Sequence, residues 1–180
     1  QDVFQNPSYK RHDVLGWNYR LPEVNAAIAL GQLERLDFLV SQRMQSAGLF
    51  LEAMKGSDVF KPQFVPNNRT HSYYTLGVQY TGKETFGIEW EDFRSSYMDH
   101  GGDGIYGSWS VPYLEPVIRD RKFVARNPQV YKNINYKIGE CPVAESVQPK
   151  IMQFKTNYRN VELARQKANA LRETIQYLSR

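Results

Sequence analysis

The chain has 180 residues, with 23 Lys+Arg against 19 Asp+Glu and a formal net charge of +4. That length holds one domain, or one and a half, and buries about 70% of the unfolded surface, while 41% hydrophobic and 13% aromatic content exclude a disordered tail. Apolar runs of only a few residues exclude a membrane-spanning helix, and one cysteine, Cys141, excludes an intrachain disulfide or a cysteine-built zinc site and points to a reducing cytoplasm.

The chain opens Gln1-Asp2-Val3-Phe4, with no Met and no signal-peptide pattern, which suggests a trimmed or partial chain. Residues 1–21 read as an irregular lead-in that ends on the compact group Gly16-Trp17-Asn18-Tyr19-Arg20. Pro22 and Glu23 suit a helix start. Apolar residues then recur at helical spacing, from Ala26, Leu30 and Leu33 through Val40 and Met44 to Leu51 and Met54, with Gly56 as the stop. The expectation is one helix over residues 22–56, about 50 Å long and bent near Gly31 or Gly48. A helix longer than its own domain packs against a further domain or subunit.

Residues 57–180 are expected to form a small domain. Residues 57–70 are rich in Pro and Asn and read as loop. Ser72–Tyr80 reads as a strand, Gly82-Lys83 as a turn and Glu89–Met98 as a short helix. His100–Gly104 is a loop, and Ile105–Val111 a strand. Residues 112–138 hold three prolines and read as irregular, Ala144–Lys150 as a short helix, and Ile151–Lys155 as a strand. Arg159–Leu178 is an amphipathic helix with Val161, Leu163, Ala164, Ala168, Leu171, Ile175 and Leu178 on one face. The fold class is α/β in the α+β sense: a long helix, then a small, mostly antiparallel sheet packed by helices.

The charge divides unevenly, as net −1 over residues 1–60, −3 over 61–120 and +8 over 121–180. A basic last third fits nucleic acid, an anionic partner or a phosphate-bearing ligand. Its charges are scattered rather than clustered, which favours a solvated surface. His12, His71 and His100 lack metal-ligand spacing. Cys141 sits beside Pro142, Val143 and Ala144 and reads as a buried structural thiol. The glycines of 101–107 match neither a phosphate loop nor a dinucleotide turn and read as a turn. At Asn18-Tyr19-Arg20, a carboxamide, a phenol and a guanidinium stand together just before a helix N-terminus. That junction suits an anion as well as it suits a structural salt bridge.

Gly16-x-Asn18-Tyr19-Arg20, followed by Glu23-x-x-Ala26-Ala27 and Gln32-Leu33, resembles the DegT/StrS family of sugar aminotransferases, with Arg43 as the basic residue that follows further on. Cys141-Pro142-Val143-Ala144-Glu145 resembles a C-P-x-A-E element found near the end of many members. The resemblance implies a fold-type I, pyridoxal-phosphate-dependent transaminase. Such an enzyme moves an amino group, typically from glutamate, to a keto sugar, often nucleotide-linked, or to a cyclitol ketone. It also implies a homodimer in which Asn18 reaches the cofactor phosphate across the interface and Arg20 lines the same site. Substrate contacts fall to Tyr19, to His71 at the head of a strand, for which a structural role is the alternative, and to Tyr106 in an aromatic segment with Trp109 and Tyr113, for which core or dimer packing is the alternative.

The family's Schiff-base lysine belongs some tens of residues upstream of the motif, and no lysine of this chain takes that role, so no catalytic residue is assigned. The chain thus resembles the C-terminal portion of such an enzyme, partnered by an N-terminal large domain, holding pyridoxal phosphate only together with it, and inactive alone. The other readings are a non-catalytic dimerisation or binding module, and a basic nucleic-acid-binding domain built on Tyr131, Tyr136 and Tyr158 beside Lys132, Lys137 and Arg159.

Overall fold

The computed structural model describes residues 19–120, 129 and 135–179. It divides into two compact units, Gln1–Leu36 and Asp37–Arg180. In the first, helix α1 spans Glu23–Leu33, and none of its residues is buried. Helix α2 follows at Leu36–Met54 and buries Ser46, Ala47, Phe50, Ala53 and Met54.

The expected single helix is therefore two helices, and the interruption lies at Glu34-Arg35 rather than at either glycine. There the hydrogen-bond ladder tightens: Arg35 N–H donates to Gln32 O at 3.1 Å, an i→i−3 bond. Gly31 and Gly48 stay inside their helices, because glycine lowers helix propensity without forcing a break.

The second unit carries a four-stranded antiparallel sheet in the order β1-β2-β4-β3. Its strands are β1 (Phe60–Pro62), β2 (Leu76–Tyr80), β3 (Tyr106–Gly107) and β4 (Ile151–Phe154). Between and after them lie α3 (Gly82–Phe86), α4 (Trp90–Asp99), α5 (Pro116–Arg119), α6 (Pro142–Val147) and α7 (Val161–Leu178). Side chains alternate along β2 and β4, and the register Leu76↔Phe154 and Val78↔Met152 puts the buried residues of both strands on one face. Phe50 and Met54 of α2, Phe93 and Tyr97 of α4, and Ala164, Ala168 and Leu171 of α7 complete that core. Phe50 is its hub, with ring centroids 5.6 Å from Phe154 and 6.1 Å from Tyr158. The start of α7 is fixed by Asn160, whose side chain accepts from Leu163 N–H at 2.9 Å.

Several elements differ from expectation. β1 forms where loop was expected, because Pro62 ends an edge strand and so removes no ladder donor from a central position. Gly82-Lys83 opens the short helix α3, closed by Gly87 at φ 70°. The expected strand at Ile105–Val111 contracts to the two residues paired with Gln153 and Met152. The strand expected from Ser72 begins only at Leu76, since Tyr73 adopts φ 48° and breaks the extended run. Cys141, expected to be buried, is exposed: it is the residue before α6, and its amide rather than its thiol makes the local contacts. Among the described residues no helix is long and apolar enough to cross a membrane.

Candidate functional site

In the first unit, Tyr19 and Arg20 precede α1 and are exposed, Tyr19 at 91%. Asn18 lies outside the described residues. Pro22 occupies the N-cap position and offers no side-chain acceptor. The first-turn amides therefore have no cap from their own helix, and the first ladder bond runs from Ala26 N–H to Pro22 O at 2.9 Å. An exposed guanidinium beside uncapped amides at the positive end of a helix has the chemistry of an anion site. Glu23 in the same turn opposes it in part.

In the second unit, His71 and Tyr106 occupy different places. Tyr106 sits on β3 opposite Gln153, with β4 between it and β2, a backbone spacing of about 10 Å. Its ring is 68% exposed, and Trp109 nearby is 88% exposed, so both face outward. His71 lies ahead of β2, and both of its ring nitrogens are engaged. Tyr73 N–H donates to Nδ1 at 2.8 Å, and Nε2 lies 3.2 Å from Gln63 Oε1. The His71 and Tyr73 rings stack at 4.2 Å.

Arg43, noted in the sequence only as a basic residue, reaches this segment from α2. Its Nη1 donates to Tyr74 O at 2.9 Å and to Thr156 Oγ1 at 3.3 Å, and its guanidinium lies 5.5 Å from the Tyr74 ring. Thr156, which no local pattern marked, is buried and donates to Tyr73 O at 2.6 Å.

Glu145 of the C-P-x-A-E element is equally committed. It accepts from the Tyr113 hydroxyl, from Gly139 N–H at 2.7 and 2.9 Å, and from Cys141 N–H at 3.3 Å. Burial and the bond to Glu145 push the Tyr113 phenol up to about 12. The Tyr113 hydroxyl in turn holds the Glu145 carboxyl below its ordinary 4.5. Tyr113 is thus a positioning group for the 139–145 turn rather than a free hydroxyl.

A depressed carboxyl adds stability at pH above its ordinary value, and that stability is lost as pH falls through the folded-state value. Glu145→Gln at neutral pH, and acidification of the unmodified chain until the Glu145 carboxylate is protonated, are both expected to lower amide protection at Gly139 and Cys141 several-fold in hydrogen exchange. Unchanged protection in both would show that the carboxylate does not hold the turn.

The basic last third is only partly described. Arg121, Lys122, Arg126, Tyr131 and Lys132 lie outside the described residues, and Arg119 pairs with Asp120 at 2.7 Å. Tyr158, named in the alternative nucleic-acid reading, is buried and donates to Asp103 Oδ2 at 2.8 Å. A cleft of about 580 Å³ is lined in part by Trp90, Gly107, Lys83 and Lys150. It holds none of the expected site residues, and its lysines are matched by Glu89 at 2.8 Å and Glu84 at 2.5 Å.

The model of the DegT/DnrJ/EryC1/StrS aminotransferase family matches residues 3–94, half of the chain, a stretch that includes both the Asn18-Tyr19-Arg20 motif and Arg43. A Micromonospora echinospora protein named as an L-glutamine:3-amino-2,3-dideoxy-scyllo-inosose aminotransferase is 43% identical over 49 residues, 27% of this chain and 12% of its own length. The aminotransferase from Psychrobacter cryohalolentis has the same fold at TM-score 0.71 and 19% identity, over 97% of this chain and 44% of the neighbour. GDP-4-keto-6-deoxy-D-mannose-3-dehydratase from E. coli, solved with bound hydrated PLP, matches at TM-score 0.63 and 18% identity, over 97% of this chain and 40% of its own. The chain thus spans less than half the length of each. The structural likenesses, at such identities, are of fold; they agree with the mixed helices and small antiparallel sheet seen here. On the family match, the chain belongs to the DegT/DnrJ/EryC1/StrS aminotransferase family.

Proposed function

We propose that this chain supplies the small domain and connecting helices of a pyridoxal-phosphate-dependent aminotransferase acting on a keto sugar, often nucleotide-linked, or a cyclitol ketone, with glutamate as the amino donor. The observation that carries the reading is the family match over residues 3–94, which contains an exposed Arg20 at the uncapped start of α1. The fold by itself is shared with a sugar dehydratase, so the family match, and not the fold, favours transamination.

The donor set fits one part of the cofactor. Arg20 and the first-turn amides of α1 have the chemistry to hold its phosphate, with Asn18 as the further donor supplied across a homodimer. When bound, pyridoxal phosphate supplies the electron sink for moving the amino group. Tyr19, exposed ahead of α1, is free to contact the sugar. In this reading the covalent lysine comes from a large domain of the same enzyme, the cofactor is held only together with that domain, and the 180-residue chain alone is inactive.

Titrating pyridoxal phosphate into this chain joined to its large domain, and into the Arg20→Gln variant of the same protein, followed by cofactor absorbance, tests the anchor. Loss of one charge-assisted contact is expected to weaken binding about tenfold. Equal affinity would remove Arg20 from the site. A borohydride-trapped pyridoxyl-lysine, together with glutamate-dependent turnover by the 180-residue chain, would overturn the division of labour.

A further inference from the structure

The segment His71–Tyr74 carries a device that the transaminase reading does not use and that does not depend on it. Tyr73 has φ 48°, a left-handed conformation disfavoured for a residue with a Cβ. It is held on both sides of its α-carbon. Its N–H donates to His71 Nδ1 at 2.8 Å, and its carbonyl accepts from the buried Thr156 hydroxyl at 2.6 Å. The next carbonyl, that of Tyr74, accepts from Arg43 at 2.9 Å. The Tyr74 ring is left 83% exposed.

A backbone amide can only donate. His71 Nδ1 must therefore present a lone pair, so its imidazole is neutral with the hydrogen on Nε2, which donates to Gln63 Oε1 at 3.2 Å. Among the described residues, the groups that meet His71 are the Gln63 amide from the segment after β1 and the Tyr73 ring stacked on it. The charged member of the cluster is Arg43 from α2, with Thr156 facing it from the segment after β4. Arg43 keeps its charge at any working pH, and the hydroxyl and amides do not titrate there. Imidazole is the one group of the latch that can take up a further proton and so lose its acceptor lone pair.

We infer that His71 is a pH-operated latch. The neutral ring holds Tyr73 in its left-handed turn and so fixes the exposed Tyr74. A proton taken from solvent onto Nδ1 sets two hydrogens against each other, ends the bond to Tyr73 N–H and loosens the turn. His71 is accordingly a positioning residue, because both of its nitrogens are committed within the chain.

The test is made on the full 180-residue chain, labelled with nitrogen-15. Long-range imidazole spectra at pH 8 are expected to show Nδ1 unprotonated and Nε2 protonated. Protection of the Tyr73 amide, corrected for intrinsic exchange, is expected to fall about tenfold between pH 8 and pH 5. In His71→Asn the side-chain oxygen can accept from the amide two residues on, as in an Asx turn, and it does not titrate. That variant is expected to keep Tyr73 protected at both pH values, whereas His71→Ala loses protection at both. A proton on Nδ1 at pH 8, or wild-type protection that does not change with pH, overturns the inference whether or not the variants fold.

Discussion

Phe50→Ala is expected to destabilise the chain by about 3–5 kcal/mol, which marks this ring as the centre of the second unit. Phe50 is fully buried. It lies against Phe154 of β4 with ring planes tilted by 44°, and it stacks on Tyr158 at 11°. Truncation leaves a cavity bounded by a strand and by the segment leading into α7, neither of which can close it alone. The Tyr158 ring is also pinned at its other end, because its hydroxyl donates to Asp103, which Lys167 approaches at 3.5 Å. Burial, foremost, and that bond to Asp103 raise the Tyr158 phenol far above its ordinary value, so it stays a neutral donor. The measurement is urea unfolding of the whole chain, with Glu52→Ala on the same helix as control. Glu52 forms an exposed i,i+3 pair with Lys55 at 3.6 Å, and its loss is expected to cost under about 0.5 kcal/mol. Equal midpoints for the two variants would refute the hub role of Phe50.

What the sequence disclosed follows from how local each cause is. β2, β4, α4 and α7 were legible because a period of two, or of 3.6, is written into successive residues. Tyr73 was not, because its run of Tyr, Thr and Val favours extension, while its left-handed turn is held by His71 only together with Thr156, 83 residues away, and the adjoining carbonyl is held by Arg43, 31 residues away. Composition misplaced Cys141 for a related reason. Its apolar neighbours suggested burial, yet the surrounding turn is organised by Glu145 and Tyr113, whose pairing spans 32 residues. The candidate site divides in the same way. The Asn18-Tyr19-Arg20 motif is contiguous and could be read directly, whereas the engagement of Arg43 with Tyr74 and Thr156 exists only in three dimensions.

The glycines give the sharpest separation between sequence and space, since all twelve look alike in the sequence. Gly102→Ala is expected to cost about 3 kcal/mol, at the upper end for overpacking. A Cβ there would stand 2.4 Å from two carbons of the Tyr97 ring. That ring cannot give way: Tyr97 is 1% exposed, packs edge-on to Phe154 at 6.0 Å, and donates to Lys167 O at 3.3 Å. Nor can Gly102 retreat, because its N–H is tied to Tyr97 O at 2.8 Å. Gly48 lies in the interior of α2 with nothing within 4 Å of a built Cβ, so Gly48→Ala is expected to stabilise by about 0.5–1 kcal/mol through helix propensity alone. For a chain of this length the first change lowers the thermal midpoint by roughly 6–12 °C, and the second raises it by a few degrees at most. A Gly102→Ala protein that melts with the wild type would mean that the Tyr97 ring has room to move. In that case the 101–104 loop would not be locked to α4 and α7 in the way the contacts of Asp103, Lys167 and Tyr97 require.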